Sequence, residues 1–252
     1  MKIVALYSIK GGVGKTASAV NLAFLAAQGG YRTLVWDLDP QAASSFYFRI
    51  KPKLKGGGKQ LFAGDSELED LIKATDFPGL DLLPADFAFR NHDFLLDAKK
   101  KPTRQLKKRL KPLAEAYDFV FLDCPPNLSL LSEAVFVAAD VILLPLIPTT
   151  LSLRTLTQLQ DFMAGHELAK LPLLPFCTMV DRRKSLHKDM MRQLSATVPE
   201  LLQTVIPYAS DIERMGLERR PLGAFCKSGP SVRAYNELWQ ELLARIGVVP
   251  RP

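Results

Sequence analysis

Two patterns of apolar positions alternate along this chain. Short runs of consecutive apolar residues are typical of strands buried in a parallel sheet, and longer segments with an apolar residue every three or four positions are typical of covering helices. Their alternation predicts an α/β fold, with a mostly parallel sheet flanked by helices on both faces. The predicted strands are residues 2–7, 33–36, 119–122, 141–146 and 173–180, and two predicted helices are residues 17–28 and 231–246.

Length and composition fit this fold. A chain of 252 residues, 48% hydrophobic and 23% charged, is long enough for one large core, so we expect residues 1–252 to form a single domain. Residues 51–59 are rich in Lys and Gly and predict a mobile surface loop. Phe46, Tyr47 and Phe48 predict core side chains, with a partner-binding surface as the alternative.

Cysteine and histidine usage narrows the chemistry. The three Cys and three His are scattered along the chain, which supports neither a zinc site nor a catalytic triad. The first predicted strand begins at once, without a secretory signal, and this predicts a cytoplasmic protein.

The strongest chemical signal is Ile-Lys-Gly-Gly-Val-Gly-Lys-Thr at residues 9–16, between the first predicted strand and the first predicted helix. In this context the segment is a phosphate-binding loop, whose glycines let backbone N–H groups converge on an anion at the positive end of the helix. Lys15 can reach the β- and γ-phosphates of a nucleoside triphosphate, and the Thr16 hydroxyl can bind Mg²⁺. Lys10 is either a further phosphate ligand or a solvated loop lysine.

Three aspartates follow predicted strands, at the edge where α/β sheets bind ligands. Asp37 and Asp39 come directly after residues 33–36, and Asp123 comes directly after residues 119–122. Asp123 stands where a phosphate-binding protein needs an acidic residue to hold Mg²⁺ through water. A helix N-cap or an ordinary loop acid is the alternative for Asp39 and for Asp123. The role of Asp37 stays open.

Three blocks of the sequence resemble the ParA/MinD family of deviant Walker ATPases. They are Lys-Gly-Gly-Val-Gly-Lys-Thr at 10–16, Asp-Leu-Asp-Pro-Gln at 37–41 and Asp-Cys-Pro-Pro at 123–126, in the order and spacing of that family. The resemblance covers nearly the whole chain and implies a P-loop NTPase fold with ATP and Mg²⁺ as cofactors. It also implies a homodimer in the ATP state, in which Lys10 reaches the phosphates held by the partner subunit and Asp39 positions the attacking water.

The resemblance assigns the parts of an ATP site to this chain. The implied catalytic residues are Lys10, Lys15 and Asp39, and the implied metal site consists of Thr16, Asp39 and Asp123. Many relatives carry a second threonine where Ala17 stands, so backbone N–H groups must suffice at that point. The implied nucleotide-binding residues are Lys10, Gly11, Gly12, Val13, Gly14, Lys15, Thr16 and Ala17 around the phosphates, and Met179, Asp181 and Pro207 around the adenine.

Positive charge is clustered in this chain, whose formal net charge is +7. Residues 99–111 form one basic run without an acid, and two further groups follow. Such clusters attract polyanions by counterion release, although a basic run can also serve solubility alone. The resemblance implies that the ATP-bound dimer binds DNA without sequence preference, and we favour the two later groups for this contact. They are Arg182, Arg183 and Lys184, and Arg214, Arg219 and Arg220.

Three functions of different classes compete. The favoured one is a nucleoid-associated ATPase that segregates or positions a cargo, with hydrolysis stimulated by a ParB-like protein or a cargo adaptor. A MinD-like membrane-cycling ATPase would need a C-terminal amphipathic helix, but Leu238, Trp239 and Leu242 predict a core-facing stripe and no stable membrane association. A metabolic or metallocluster-delivering P-loop enzyme would need paired cysteines or a substrate domain, and neither is visible.

Overall fold

The structure is a computed structural model and describes residues 1–54, 67–166 and 168–251. Most of the predicted mobile loop at residues 51–59 lies outside the described residues. An eight-stranded sheet has the order β3-β4-β2-β5-β1-β6-β7-β8, and its neighbours are parallel except for β3 and β4. The strands are β1 Lys2–Leu6, β2 Thr33–Asp37, β3 Lys73–Ala74, β4 Leu80–Leu83, β5 Phe119–Asp123, β6 Val141–Leu146, β7 Leu173–Val180 and β8 Val205–Pro207.

The mostly parallel sheet predicted from the apolar runs is confirmed. Each of the five predicted strands is present, and its ends differ from the prediction by no more than one residue. The strands β3 and β8 have two and three residues, which is too short for an apolar run to reveal them, and Asp81 interrupts the apolar residues of the four-residue strand β4.

Nine α-helices occur in the part of the chain that the structure describes. Both predicted helices are confirmed, and α1 begins two residues earlier than the apolar period indicates, directly at the end of the glycine-rich loop. The helices are α1 Lys15–Gln28, α2 Ala43–Tyr47, α3 His92–Asp97, α4 Gln105–Leu110, α5 Leu130–Ala138, α6 Thr150–Gly165, α7 Ser185–Thr197, α8 Ser210–Glu218 and α9 Pro230–Arg245.

The sheet separates two hydrophobic cores. Successive strand residues point to opposite faces, so Ala5 packs into one core while Val4 and Leu6 pack into the other. Helices α5 and α6 supply side chains to the Ala5 side, and α1 and α9 supply them to the other side. Burial on both faces explains why the central strands are apolar at nearly every position.

The apolar stripe of α9 belongs to the core, as the sequence predicts. Leu238, Trp239 and Leu242 are buried, and the Trp239 ring meets Phe119 of β5 edge to face with 5.1 Å between centroids. Such burial leaves this stripe unavailable to a lipid surface. Among the described residues, no helix is both long enough and apolar enough to cross a bilayer.

The sheet register brings the predicted site residues to one edge. Asp123, the last residue of β5, is paired with Leu6 of β1 on one side and with Asp37 of β2 on the other. The glycine-rich loop leaves β1 at the same level. The loop and the carboxylates therefore lie side by side at the C-terminal ends of the parallel strands, where ligands bind in open α/β sheets.

Candidate nucleotide-binding site

The glycine-rich loop has the backbone of an anion cradle. Gly12 and Gly14 have φ angles of 70° and 86°, in the left-handed region that favours glycine. Gly14 is the N-cap of α1, no side chain caps this helix end, and its first turn contains no acidic residue. The positive end of a 14-residue helix is therefore left for an external anion.

The left-handed backbone at Gly14 allows a direct test of the loop. We expect Gly14→Ala to lower the free energy of unfolding by about 1–2 kcal/mol, because a left-handed alanine is strained. In addition, its Cβ would lie 3.2 Å from Thr178 Oγ1. Gly11→Ala is the matched control, since its φ is ordinary and its Cβ would meet nothing closer than Pro126 Cγ at 3.9 Å. Urea denaturation measures both variants, and equal losses would contradict this account.

Lys15 lies inside the loop, with only 7% of its surface exposed. Its ammonium donates a hydrogen bond to the carbonyl oxygen of Lys10 at 3.3 Å. Burial lowers the pKa of Lys15, and the nearby Asp123 carboxylate opposes this effect. A buried cation of this kind is poised to exchange its backbone partner for phosphate oxygens.

Lys10 differs from Lys15 in its surroundings. Its side chain is half-buried, and its ammonium forms no hydrogen bond or ion pair with the residues that the structure describes. Of the two loop lysines, only Lys15 therefore has an ammonium that a described residue engages.

Asp123 is fully buried and offers an oxygen for a metal shell. Its Oδ2 accepts a hydrogen bond from Ser44 Oγ at 2.8 Å, whereas its Oδ1 has no hydrogen-bond partner among the described residues. Burial raises the pKa of Asp123 to about 6, although Ser44, Thr16 and Lys15 all act to lower it. A buried carboxylate oxygen without a partner, next to the Thr16 hydroxyl, is the donor set that suits Mg²⁺ with its waters. Thr16 and Asp123 therefore fit the predicted metal site.

Asp37, whose role the sequence leaves open, holds helix α2 against the sheet. Its Oδ2 accepts hydrogen bonds from the backbone N–H and the hydroxyl of Ser45, both at 2.8 Å. Burial, followed by the charge of Asp123, raises its pKa well above the usual range. Ser44 and Ser45 are the functional neighbours that sequence reasoning missed. Two consecutive serines, separated from Asp39-Pro40-Gln41 only by Ala42 and Ala43, were the available signal.

Asp39 lies on the turn between β2 and α2. Its Oδ1 accepts a hydrogen bond from the backbone N–H of Gln41 at 2.9 Å, and its carbonyl oxygen accepts one from Ala42 at 2.9 Å. The side chain is half-buried, and its charge acts on both Asp123 and Lys15. The structure thus brings Asp39 to the phosphate loop, and its role in hydrolysis stays a prediction.

The three residues predicted around the adenine lie together at the ends of β7 and β8. Val180 of β7 is paired with Pro207 of β8, and Met179 has a φ of 52° beside an irregularity in this pairing. Asp181 is engaged, because both of its carboxylate oxygens accept hydrogen bonds from the Arg183 guanidinium at 2.9 Å. A cavity of about 400 Å³ opens nearby, within the size range of ligand pockets. Its lining includes Val180, Arg182, Pro207 and Arg233.

Several residues predicted for DNA contact already have acidic partners. Arg183 pairs with Asp181, and Glu218 holds Arg214 at 3.3 Å and Arg220 at 2.6 Å. The hydrogen bonds from Arg220 and Arg214 lower the pKa of Glu218. These pairs leave less net positive charge on the two groups than the sequence suggests.

Helix α2 also contacts one of these groups. The Arg219 guanidinium lies 4.5 Å from the Phe46 ring centre and donates a hydrogen bond to the Phe46 carbonyl oxygen at 3.2 Å. Phe48 is buried, as predicted, Tyr47 is half-buried, and Phe46 is 46% exposed, so the prediction that all three are core residues is wrong for Phe46. Successive helix residues are about 100° apart, and three neighbours cannot all face one core.

An anion cradle at a helix N-terminus, with a buried lysine and a carboxylate at the adjoining strand end, defines a P-loop nucleotide-binding protein. A family model described as an AAA domain, AAA_31, matches residues 1–169, and the chain belongs to this family. Within it, the chain is a relative of the ParA/Soj partition ATPases. The chromosome-partitioning ATPase Soj of Treponema pallidum is 28% identical over 251 residues, which cover 98% of each chain.

Solved structures share the fold. A plasmid partition protein from Borrelia burgdorferi, bound to AMPPNP, has a TM-score of 0.86 and 24% identity, over 97% of this chain and 99% of that one. Cobyrinic acid a,c-diamide synthase from Mycobacterium smegmatis, with bound ADP and magnesium, has a TM-score of 0.83 and 24% identity, over 100% and 98%. The predicted P-loop NTPase fold is confirmed. Since both a partition protein and a synthase have it, function must be argued from the site.

Proposed function

We propose that this chain is an ATPase whose ATP-bound form is a homodimer that binds DNA without sequence preference and positions or segregates a cargo. Hydrolysis, stimulated by a ParB-like protein or a cargo adaptor, returns it to the free monomer. The relatedness to partition ATPases supports this class of function. The observation that supports the dimer is Lys10, a cation of the phosphate loop whose ammonium has no partner among the residues that the structure describes.

The residues of this site have separate roles in binding and hydrolysis. The α1 N-terminus and Lys15 bind the β- and γ-phosphates, and Thr16 and Asp123 would hold Mg²⁺, which neutralises phosphate charge when it is bound. Asp39 orients the attacking water. Lys10 of one subunit reaches the nucleotide of the other and stabilises the charge that develops on the transferred phosphoryl group, as an arginine finger does.

The turn after β2 is suited to report the state of the γ-phosphate. Asp37 and Asp123 anchor α2 through Ser45 and Ser44, and Phe46 of α2 contacts Arg219 at the end of α8. A shift of Asp39 on hydrolysis would therefore reach α2 and then a basic surface group. Membrane cycling is the weaker function, because the apolar stripe of α9 is buried in the core.

Light scattering and DNA co-sedimentation test this function. With magnesium and a non-hydrolysable ATP analogue we expect a dimer that is retained on random-sequence DNA, and with ADP a monomer that is not. Anionic liposomes in parallel tubes should retain neither form. Single chains with the analogue and no retention on DNA would refute the proposal.

The Asp39→Ala variant should hydrolyse ATP on the order of a hundredfold or more slowly, because a residue that orients the reacting water is lost. Its binding of ATP should persist, since Lys15 and the helix end are unchanged, so the dimer should stay on DNA with ATP itself. Phosphate release and co-sedimentation measure the two effects. Turnover at the wild-type rate would show that Asp39 does not orient the water.

A further inference from the structure

The positive charge of this protein is concentrated in one segment. Residues 99–111 contain eight Lys and Arg and no Asp or Glu, while the whole chain has a formal net charge of +7. The remaining residues therefore carry a formal charge of −1. Any attraction between this protein and a polyanion must come largely from this segment or from another local cluster.

The segment folds so that its charges share one face. Leu106, Leu110 and Leu113 are buried, and their spacing of four and three residues places them on one side of the helical turns from 102 to 114. The exposed basic residues fall on the opposite side or in the turn before it. They are Lys100, Lys101, Arg104, Lys107, Lys108 and Lys111, which we name the α4 basic face.

The α4 basic face has no acidic partner inside the described part of the molecule. None of its six side chains takes part in an ion pair there. Arg104, Lys107, Lys108 and Lys111 are spaced three and four residues apart, so these like charges repel one another. The groups around Arg183 and Arg214 differ, because Asp181 and Glu218 offset part of their charge.

We propose that the α4 basic face is the main contact for duplex DNA in the ATP-bound protein. This inference rests on the proposed DNA binding and moves it away from the groups that the sequence favours. The eight residues from Arg104 to Lys111 span about 10 Å, a length of duplex that carries roughly six phosphate charges. Four exposed cations of the face, Arg104, Lys107, Lys108 and Lys111, lie in this span, so the duplex offers each of them a phosphate. A membrane fits less well, because the leucines that would insert into it are buried.

The test uses a triple variant and a control of equal charge. Lys107→Gln, Lys108→Gln and Lys111→Gln remove three cations from the face and keep a similar helix propensity. Arg154→Gln, Lys188→Gln and Arg245→Gln remove three exposed cations elsewhere. Binding to random-sequence duplex DNA, with magnesium and a non-hydrolysable ATP analogue, is measured from 50 to 200 mM salt. Circular dichroism and ATP binding confirm that each variant is folded.

For the face variant, the slope of log K against log salt should become less steep by roughly 2.7, because each lost phosphate contact contributes about 0.9. Its affinity should fall for all sequences alike, while the control keeps the wild-type slope. An unchanged slope in the face variant, with the wild type bound, would overturn the inference and leave the proposed function intact. A wild type that binds anionic vesicles instead of DNA would overturn both.

Discussion

Replacing Lys15 by alanine is expected to abolish nucleotide binding at micromolar concentrations. The ammonium of Lys15 is buried in the loop, where it is positioned for phosphate oxygens in a partly desolvated site. Removing one partner of a buried charge pair costs about 2–5 kcal/mol, which is a loss of roughly 30-fold to several thousandfold. Titration with a fluorescent ATP analogue in the presence of magnesium measures this effect.

Lys10→Ala is the informative control, since it removes the other loop lysine. The Lys10 ammonium has no partner in the described part of the chain, so the affinity of a single chain for ATP should be nearly unchanged. Hydrolysis and ATP-dependent pairing should be lost, because a cation supplied across an interface contributes on the order of a thousandfold to phosphoryl transfer. If both variants lost ATP affinity equally, the two lysines would have the same role and the division between them would be wrong.

The backbone and position of the glycine-rich loop could be predicted from sequence because they depend on local rules. A glycine-rich loop between a strand and a helix largely fixes its own backbone, and Gly14 has the left-handed φ that glycine adopts without strain. Asp123 follows an apolar run, so its place at the strand end comes from strand length alone. The pairing of Asp123 with Leu6 then places Asp123 and the glycine-rich loop at the same level of the sheet.

The environment of the carboxylates could not be predicted in the same way. Ser44 and Asp123 are 79 residues apart in sequence, and their hydrogen bond depends on how α2 folds back over the sheet edge. The same packing buries Asp37 under Ser45 and so gives it a structural role. A pattern of apolar positions contains no information about such contacts between distant polar side chains.

Charge was misleading for a related reason. The sequence shows Arg214 and Arg220 as basic residues, but the helical turn of α8 brings Glu218 to Arg214, and the chain reversal at Arg219 after the helix brings Arg220 to the same carboxylate. The basic run at 99–111 has no acid within it, and the buried leucines set its outward face. Local composition therefore gives the net charge of that run correctly. The net charge of the arginine groups can be assessed only from the folded structure.

The Asp123→Asn variant should be more stable than the wild type in the absence of magnesium and nucleotide. Burial raises the pKa of Asp123 from 3.8 to about 6, so the folded protein binds this proton more tightly than the unfolded chain does. The contribution of Asp123 to the free energy of unfolding is largest below pH 3.8 and falls as the pH rises to about 6. Above that pH it stays at the lower level. Asparagine has no proton to lose, so at pH 7.5 we expect a gain of up to about 3 kcal/mol.

Urea denaturation at several pH values checks both the size and the sign of this effect. The gain should shrink to about half at pH 5, because the wild-type carboxyl is then largely protonated when folded. Asp39→Asn, at a half-buried carboxylate, should change stability little and serves as the control. A less stable Asp123→Asn protein at pH 7.5 would contradict the burial cost. With ATP and magnesium the same variant should lose hydrolysis, because the carboxylate that destabilises the empty fold is the one that we propose for holding the metal.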